Sequence, residues 1–526
     1  MFWTDEITGS IITKENKDSY LINDSTTPSG QAHVGSLRGL IIHDLIREGL
    51  LENGKTAKFV FGFDDFDPMD GLPVYVDQSF EKYMGLPLSA VPAPDGIHTS
   101  FADQYASELK EIISYLKLEP EYYYTTELYK AGKFNDSIKL TLDNADKIRA
   151  IYKEVSGSDK GEDWYALNVV CPNCGKIGTT RVHGWDGKEV EFECMSDMVD
   201  WAKGCGYKGK ISPFDGNAKL PYKVEWPSKW SFMGIDVEGA GKDHAAAGGT
   251  REVSSRIYRE VFGKTPPHDA PYEHILIGGA KMSSSKGLGV TAKQMADLLP
   301  ANILKFLFTR TKYKRAIEFN PEGDTIPLLY DEYDRCAKDF HDKAETDMAR
   351  AFFYTEKGLI ACPEPSRGDK LPTYYLRFSK IANFLQMPRM DILAYAAEEK
   401  TSELTEVEKE EIENRIKVAK LWLDGYASES VKFAISDVVP EAAKNLSDAQ
   451  KTYLNKIAEA ISVKEKWTGE DLHAKIHEIK NEMQIEPKQA FSAIYLSFLG
   501  KDSGPQAGWL LASLDQKFVI NRLKEV

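Results

Sequence analysis

A glycine-rich turn that carries one histidine is the first stretch of this sequence with obvious chemical potential. It reads TTPSGQAHVGSLRG over residues 26–39, with Gly30, His33 and Gly35 placed between an apolar segment and a helical pattern. The free amide groups at the start of a helix, together with its dipole, attract anionic phosphates. Glycines let a ligand approach the backbone closely, and a histidine can donate to a phosphate oxygen. Taken alone, the stretch fits a phosphate site and an ordinary capped turn equally well.

A second stretch reads GGAKMSSSKGLGV at residues 278–290. Lys281 and Lys286 enclose a run of serines, and glycines lie on both sides. A flexible cationic loop rich in hydroxyl donors can close over a nucleoside triphosphate and stabilise the charge on a departing pyrophosphate. A solvated linker is the alternative interpretation of this loop by itself.

The acidic run DDFDPMD, at residues 64–70, directly follows an apolar segment. An ammonium group that leaves water needs carboxylates or carbonyls around it. Asp64, Asp65 and Asp67 are therefore candidates for binding a cationic substrate. A solvated acidic loop is the alternative.

Aromatic residues further along the chain are candidates for the walls of such a site. Tyr222, Trp226 and Tyr272 can cover an alkyl chain and make cation–π contacts with its ammonium group. Each of them fits a position in the hydrophobic core equally well.

Clustered cysteines form a metal-ligand pattern. The motif CPNCG contains Cys171 and Cys174, and Cys194 and Cys205 follow within the same segment. A CxxC turn followed by glycine lets both thiolates face one metal ion. We expect a structural zinc site made by these four cysteines, with His183 as a possible substitute ligand and a degenerate site without metal as the alternative.

The elements around the first glycine-rich turn predict a βαβ unit. YLINDST (20–26) has the composition of a strand, residues 34–54 have helical apolar spacing, and AKFVFGFDDFD (57–67) has the composition of a second strand. Ligands of such units bind at the carboxyl ends of the strands, where both the turn and the acidic run fall.

Beyond this unit the pattern changes. Residues 100–155 are mostly helical in pattern, and 160–215 have the composition of a small irregular insertion rich in glycine and cysteine. Strand-like pieces, YKVEW and YEHILIGG, return around 220–290, so the insertion interrupts one α/β domain. From about 330 onwards, long amphipathic patterns predict an all-α part.

Composition limits the class of protein. The chain has 526 residues, 42% of them hydrophobic and 28% charged, which predicts a globular protein of several domains. Its net charge of −15 argues against a generally basic nucleic-acid coat, although a local basic patch can still bind phosphates. The first residues, MFWTDEITGS, lack a secretory pattern, and no apolar run reaches the roughly 18 residues of a membrane span. With metal-like cysteine spacing, this predicts a cytoplasmic protein without membrane contact.

Two short motifs taken together resemble a known enzyme family. HVGS (33–36) and KMSSS (281–285), in this order, resemble the HIGH and KMSKS signatures of class I aminoacyl-tRNA synthetases. The longer motifs TPSGQAHVGSLRG, WPSKW, GKDHAAAGG, PYEHILIGG and KMSSSKG are most similar to the class I lysyl-tRNA synthetase family, as is KQAFSAIYLSFLGKDSGPQAGWLLASL near the end. The chain departs from the signatures at Ser36, which stands in place of a histidine, and at Ser284, which stands in place of a lysine. Lys286, two residues further on, is a candidate for supplying that second charge.

The resemblance implies a reaction and its cofactors. L-lysine is activated with ATP and Mg²⁺ to lysyl-adenylate and then transferred to the 3′ end of tRNA(Lys), without a covalent enzyme intermediate. His33 and Lys281 are the implied catalytic residues, acting by position and charge on the phosphates and the leaving pyrophosphate. The implied ATP-binding residues are Ser29, Gly30, His33, Gly35, Ser36, Lys281, Met282, Ser283, Ser284, Ser285 and Lys286.

The implied substrate site takes lysine. Asp243 and His244 resemble the family's substrate loop. A glutamate pocket needs an arginine to pair the side-chain carboxylate, and TTPSGQAH offers none. The candidate substrate-binding residues are Asp64, Asp65, Asp67, Tyr222, Trp226, Asp243, His244 and Tyr272.

The resemblance also implies an arrangement of domains. We expect a Rossmann-type catalytic domain over 1–290, interrupted by a zinc-knuckle insertion at 156–215. A stem-contact or linker region at 291–330 and an all-α anticodon-binding domain at 331–526, an α-helix cage, complete the chain. The predicted partners are tRNA(Lys), lysine and ATP, and a monomer is favoured. The alternatives are a glutamyl- or other class I synthetase, a small nucleotidyltransferase, and a non-catalytic RNA-binding protein derived from a synthetase.

Overall fold

The computed structural model describes residues 1–278, 280, 281, 290–357 and 371–526. The chain divides into two compact units. The first unit comprises residues 1–319 and 336–364, and the second comprises 320–335 and 365–526.

A parallel sheet forms the centre of the first unit. Strand β1 pairs with β2 over its whole length, and β2 pairs with β3. On the other side of β1, single parallel bridges join Ile22 to Val237 and Val237 to His268. The strands of the described chain are β1 Ser19–Thr26, β2 Thr56–Phe63, β3 Glu121–Tyr124, β4 Asn168–Val169, β5 Thr180–Trp185, β6 Val190–Cys194, β7 Lys208–Ile211, β8 Ala218–Lys219, β9 Ile275–Ile277, β10 Ala280–Lys281 and β11 Ile317–Phe319.

Helices surround this sheet. Leu37, Leu40, Ile41 and Leu45 of α2 are fully buried, as the spacing of its apolar residues predicts. The helices of the first unit are α1 Trp3–Lys14, α2 Ser36–Glu52, α3 Phe101–Tyr115, α4 Thr125–Lys130, α5 Asn135–Asp143, α6 Ala145–Ser156, α7 Tyr222–Met233, α8 Lys242–Ala245, α9 Thr250–Glu260, α10 Ala292–Leu298, α11 Ala301–Thr309 and α13 Asp347–Glu356, while α12 Thr325–His341 contributes to both units.

The cysteine-rich insertion contains its own small sheet. Strands β5, β6 and β7 form an antiparallel meander, and β4 pairs with β8. Val182, Val190 and Phe192 are fully buried and join a core cluster with other residues of the first unit such as Phe134 and Val253. The insertion is therefore packed into the first unit through apolar contacts.

One predicted strand is wrong. YKVEW begins α7, because Pro221 lies at the N-cap and its carbonyl accepts the amides of Val224 and Glu225. Trp226 and Trp230 lie four residues apart and are both buried on one face of the helix. Strand-forming aromatic residues have here been placed in a helix by tertiary packing.

The second unit is helical. Arg415 of α16 is buried and pairs with Glu411 and with Asp334 of the same unit. Within the described residues, no helix is both long and apolar enough to cross a membrane. A short 3₁₀ helix covers Glu441–Asn445 in this unit, and two others cover Gln78–Tyr83 and Leu88–Ala90 in the first unit. The other helices are α14 Phe378–Phe384, α15 Ile392–Lys400, α16 Glu406–Gly425, α17 Asp448–Ser462, α18 Gly469–Glu482, α19 Pro487–Leu499, α20 Ala507–Ala512 and α21 Gln516–Glu525.

Candidate active site and metal centre

A cavity of about 600 Å³ opens at the carboxyl ends of β1 and β2. This is the edge of a parallel sheet at which ligands of α/β folds bind. Its lining includes Asp24, Ser25 and Thr26 from β1, and Ser36 from the first turn of α2. The helix thus begins at the cavity, which suits an anionic ligand.

The turn before α2 packs His33 against the backbone. Gly35 is the N-cap of α2, and a Cβ added there would lie 2.7 Å from Cε1 of His33. A side chain at position 35 would therefore displace the imidazole. His33, Gly35 and Ser36 all line the cavity.

The described end of the second glycine-rich stretch lies beside the first signature motif. The amide of Val34 donates to the carbonyl of Val290 at 3.1 Å, and the amide of Ala292 donates to the carbonyl of Ala32 at 2.8 Å. At the other end of the second motif, β10 pairs with β9, whose Ile275 lines the cavity. Both described ends of the second stretch therefore lie next to the first motif or the cavity, and the pairing of the two signatures in one site stays a prediction.

Only some of the predicted ATP-binding residues are described at the cavity. Ser29, His33, Gly35 and Ser36 line it. Gly30 does not, because it faces Tyr75, whose hydroxyl oxygen would lie 2.8 Å from an added Cβ. The remaining predicted positions, the side chain of Lys281 and residues 282–286, lie outside what the structure describes.

Lys229 neutralises the first residue of the acidic run. Its Nζ lies 2.9 Å from Oδ1 of Asp64, and Oδ2 of Asp64 accepts a hydrogen bond from Ser25. Burial disfavours the charged ammonium, but the attraction of Asp64 outweighs it and raises the pKa of Lys229 well above its ordinary value. Asp64 lines the cavity with its charge already paired.

The rest of the acidic run is also occupied. Oδ1 of Asp67 lies 2.9 Å from Nζ of the buried Lys219, and Oδ2 accepts from Thr27 at 2.7 Å. Asp67 lines the cavity, whereas Asp65 does not. Asp65 accepts the amide of Thr126 at 2.8 Å, and burial raises its pKa.

Sequence reasoning missed Asp24, which lies in β1. Its Oδ2 is 3.5 Å from Nδ1 of His43, whose Nε2 accepts the amide of Gly239 at 2.8 Å. Burial opposes the charged ring, but the carboxylate of Asp24 outweighs it and raises the pKa of His43 above its ordinary value. The amide accepted at Nε2 nevertheless requires that nitrogen to be unprotonated, so the ring proton lies on Nδ1, which also contacts the carbonyl of Gly39 at 2.7 Å, and His43 is neutral. Among the described residues no lysine or arginine pairs with Asp24. The only sequence signal was a charged residue at the end of a buried strand.

Gly39 of α2 makes room for this carboxylate. A Cβ at position 39 would lie 2.5 Å from Oδ2 of Asp24 and 2.6 Å from the hydroxyl oxygen of Tyr272. Burial raises the pKa of Tyr272 well above its ordinary value, so the phenol keeps its proton. Asp24 and Tyr272 together present an acceptor and a hydroxyl to the cavity that they line.

Most of the aromatic and loop predictions also reach the cavity. Tyr222, Asp243 and His244 line it, and Asp243 lies 3.3 Å from Nε2 of His274. Trp226 does not line it, because its ring is buried behind Tyr222 at a centroid distance of 5.4 Å.

Arg38 is a second cavity residue that sequence reasoning missed. Its Nη2 donates to the carbonyls of Tyr313 and Arg315, and burial lowers its pKa to about 10, which leaves it charged at neutral pH. Residues 26–33 contain no arginine, but Arg38 supplies one to the cavity lining. Three of the carboxylates that line the cavity, those of Asp64, Asp67 and Glu273, each pair with a lysine. The five carboxylates of the lining are Asp24, Asp64, Asp67, Asp243 and Glu273.

The four predicted metal ligands converge in the insertion. Their sulfur atoms all lie within 4.8 Å of one another, with 3.6 Å from Cys171 to Cys205 and 3.7 Å from Cys174 to Cys194. Tetrahedral thiolates at the usual Zn–S distance are about 3.8 Å apart. Gly175 and Gly206 follow two of the cysteines with φ of 74° and 78°, which closes both turns. The donor set fits a closed, structural zinc site.

Comparison with known proteins now identifies the family. A family model described as tRNA synthetases class I (K) matches residues 1–357, and one described as an anticodon binding domain matches residues 385–526. The chain belongs to the class I tRNA synthetases. Its parallel-sheet catalytic fold, the cysteine cluster and the helical anticodon-binding part confirm the predicted fold class.

Relatives of this synthetase match it from end to end. A lysine–tRNA ligase of Methanosarcina barkeri is 33% identical over 99% of this chain and 97% of its own. One from Archaeoglobus fulgidus is 31% identical over all of this chain and 99% of its own. Among solved structures, a glutamate tRNA ligase from Elizabethkingia meningosepticum, in complex with its amino acid, matches 96% of this chain and 98% of its own at 13% identity, with a TM-score of 0.45.

Proposed function

We propose that this synthetase is a lysine–tRNA ligase. It activates L-lysine with ATP to lysyl-adenylate and transfers the lysyl group to the 3′ end of tRNA(Lys). The observation that carries the proposal is Asp24, which lines the cavity without a lysine or arginine partner among the described residues. Full-length relatives named lysine–tRNA ligases support it.

Asp24 is the proposed partner of the substrate ε-ammonium. A cation leaving water needs a carboxylate of its own, and Asp64 and Asp67 already neutralise buried lysines. Tyr272 adds a neutral hydroxyl beside Asp24, and Tyr222 covers the alkyl chain. The predicted roles of Asp243 and His244 in substrate binding stay part of this proposal.

Catalysis in this proposal consists of positioning and charge stabilisation. The carboxylate of lysine attacks the α-phosphorus of ATP, which forms a mixed anhydride and releases pyrophosphate. A ribose hydroxyl at the end of the tRNA then attacks the lysyl carbonyl and releases AMP. His33, the start of α2 and Lys281 are proposed to act on the ATP phosphates. Mg²⁺, when bound with ATP, neutralises phosphate charge and takes most of its ligands from phosphates and water.

The test is amino-acid-dependent ATP–pyrophosphate exchange and tRNA charging. Lysine is expected to support both, and exchange is measured with and without tRNA(Lys). Glutamate is the comparison substrate, because Arg38 lies in the cavity lining. Exchange with glutamate and not with lysine would make the substrate assignment wrong. No exchange with any amino acid would favour a non-catalytic RNA-binding protein.

We further propose that Cys171, Cys174, Cys194 and Cys205 bind one structural Zn²⁺. The bound metal would stabilise the fold of the insertion and would not take part in the reaction. Elemental analysis is expected to find one zinc per chain, and chelation is expected to make the insertion sensitive to protease. The exposed ligand Cys205 offers a matched test, since Cys205→Ser should lose the metal while Cys336→Ser should keep it. Unchanged protease resistance after chelation would contradict the assignment.

Domain limits and location complete the proposal. The predicted limits are a catalytic domain at 1–290 with its insertion at 156–215, a stem-contact region at 291–330 and an anticodon-binding domain at 331–526. The proposed role in translation makes tRNA(Lys) the partner and the cytoplasm the expected location, and a monomer stays the favoured prediction for the oligomeric state.

A further inference from the structure

The glycine-rich turn between β1 and α2 is held on one side by backbone hydrogen bonds next to its histidine. The amide of Val34 donates to the carbonyl of Val290 at 3.1 Å, and the carbonyl of Ala32 accepts the amide of Ala292 at 2.8 Å. These residues flank His33 in the sequence, so on this side the backbone of the histidine is held directly.

On its other side the turn meets the hydroxyl group of a tyrosine. The amide of Gln31 donates to the hydroxyl oxygen of Tyr75 at 2.6 Å. A Cβ added at Gly30 would lie 2.8 Å from that oxygen and 3.1 Å from Cγ of Pro73, so the turn lies close against both side chains. Gln31 comes two residues before His33, and its bond to Tyr75 therefore holds the turn just ahead of the histidine.

The loop that carries Tyr75 is anchored in the first unit. Tyr75 lies in a tight turn that is closed by a bond of 2.9 Å from the amide of Val76 to the carbonyl of Pro73. Val76 is buried in a core cluster that includes Phe101 of α3. The ring of Tyr75 meets the ring of Tyr105, also in α3, edge-on at a centroid distance of 6.4 Å. The hydroxyl of Tyr75 is therefore presented to the glycine-rich turn from a fixed position.

The side chain of Tyr75 itself contributes little to the core. It is 45% exposed, whereas Tyr105 behind it is 4% exposed. Partial burial raises the pKa of the Tyr75 phenol, so the hydroxyl keeps its proton. A neutral hydroxyl can accept the amide of Gln31 without repelling an anionic phosphate bound at the same turn. The bond can thus serve the site, while its loss should cost the fold little.

We propose that Tyr75 is a positioning residue for the formation of the adenylate. It does not touch the substrates, but its bond to Gln31 completes a grip on the backbone of His33 from both sides. This grip keeps the imidazole and the start of α2 in place for the ATP phosphates, and groups that are already in place stabilise the transition state without having to move. The inference rests on the proposed function, which gives the turn its role in ATP activation.

The contact is tested with Tyr75→Phe in the full chain, which removes the hydroxyl and keeps the ring. The kcat of lysine-dependent ATP–pyrophosphate exchange is expected to fall about tenfold, while KM for lysine and the urea midpoint of unfolding stay unchanged. Tyr83→Phe is the matched control from the same loop, because the hydroxyl of Tyr83 makes no hydrogen bond within the part of the chain that the structure describes. An unchanged kcat in Tyr75→Phe would overturn the proposal.

The transfer step separates this role from a general defect. Transfer of lysine from preformed lysyl-adenylate to tRNA(Lys) releases AMP and involves no pyrophosphate, so its single-turnover rate in Tyr75→Phe should equal that of the wild type. Losses of equal size in activation and transfer would overturn the proposal, since Tyr75 would then act on the whole enzyme.

Failure of the proposed function has a different signature. If the wild type activates another amino acid and not lysine, the substrate assignment is wrong, and the same comparison of wild type with Tyr75→Phe, made with that amino acid, decides the role of Tyr75. A wild type that activates lysine as fast as Tyr75→Phe would remove the positioning role alone. No exchange with any amino acid would overturn both.

Discussion

The ends of two neighbouring strands, β1 and β2, supply aspartates to the same cavity, but these aspartates have different partners. At the end of β2, Asp64 and Asp67 each pair with a buried lysine, Lys229 and Lys219. At the end of β1, Asp24 faces a neutral histidine. The strands are parallel and directly paired, so the difference comes from the partners and not from the position in the fold.

This contrast shows that an acidic sequence is not the same as an available charge. Removing one partner of a buried ion pair leaves an uncompensated charge, so such pairs fix geometry and resist change. The aspartates after β2 therefore shape the cavity wall, and the single aspartate of β1 remains open to a ligand.

The largest effect on stability is expected from breaking the buried ion pair between Lys229 and Asp64, the residue that follows β2. Lys229→Met would leave Asp64 buried without its cation and should lower the free energy of unfolding by about 3–5 kcal/mol, measured by urea denaturation. Lys58→Met is the matched control, because Lys58 pairs with Glu121 at the exposed surface and should cost under about 1 kcal/mol.

The double variant Lys229→Met/Asp64→Leu sharpens this test. Without either charge the stability should largely return, since buried apolar groups can replace a buried pair. A double variant as unstable as Lys229→Met would show that the loss came from packing and not from the unpaired charge of Asp64.

Substitution of Asp24 in β1 is expected to lower stability less than Lys229→Met does and to affect lysine kinetics more. Asp24→Asn should lower kcat/KM for lysine by about 100-fold, or about 2.7 kcal/mol, because the ε-ammonium loses its charged partner. The KM for ATP should change little. If Asp24→Asn lowered only the stability of the protein, Asp24 would have a structural role, as Asp64 and Asp67 have, and would not bind the substrate.

The smallest effect is expected from adding a methyl group next to Asp24, at Gly39. Gly39→Ala places a methyl group 2.5 Å from Oδ2 of Asp24, which should raise KM for lysine about tenfold while the charge remains. Gly9→Ala is a matched helical control with nothing within 4 Å of the added carbon. Unchanged lysine kinetics in Gly39→Ala would argue against Asp24 as the substrate ligand.

Features set by local spacing could be predicted from the sequence. The βαβ unit follows from apolar periodicity, and the cysteine cluster follows from two glycine-closed turns. Asp24 and Arg38 were missed because their roles depend on partners far along the chain, His43 with Gly239 in one case and the carbonyls of 313 and 315 in the other. For the same reason the sequence could not show that Lys229 and Lys219 neutralise the acidic run.

The central sheet also has a consequence for synthesis of the chain. One side of β1 is paired by β2, which is made early, but its other neighbour is the segment at Val237, whose carbonyl accepts the amide of Asn23. That segment leaves the ribosome only after the cysteine-rich insertion is complete. During this interval one edge of β1 presents unpaired amides and carbonyls, which are a template for wrong strand pairing. The nascent chain is therefore exposed to misassembly at β1 until Val237 has been made.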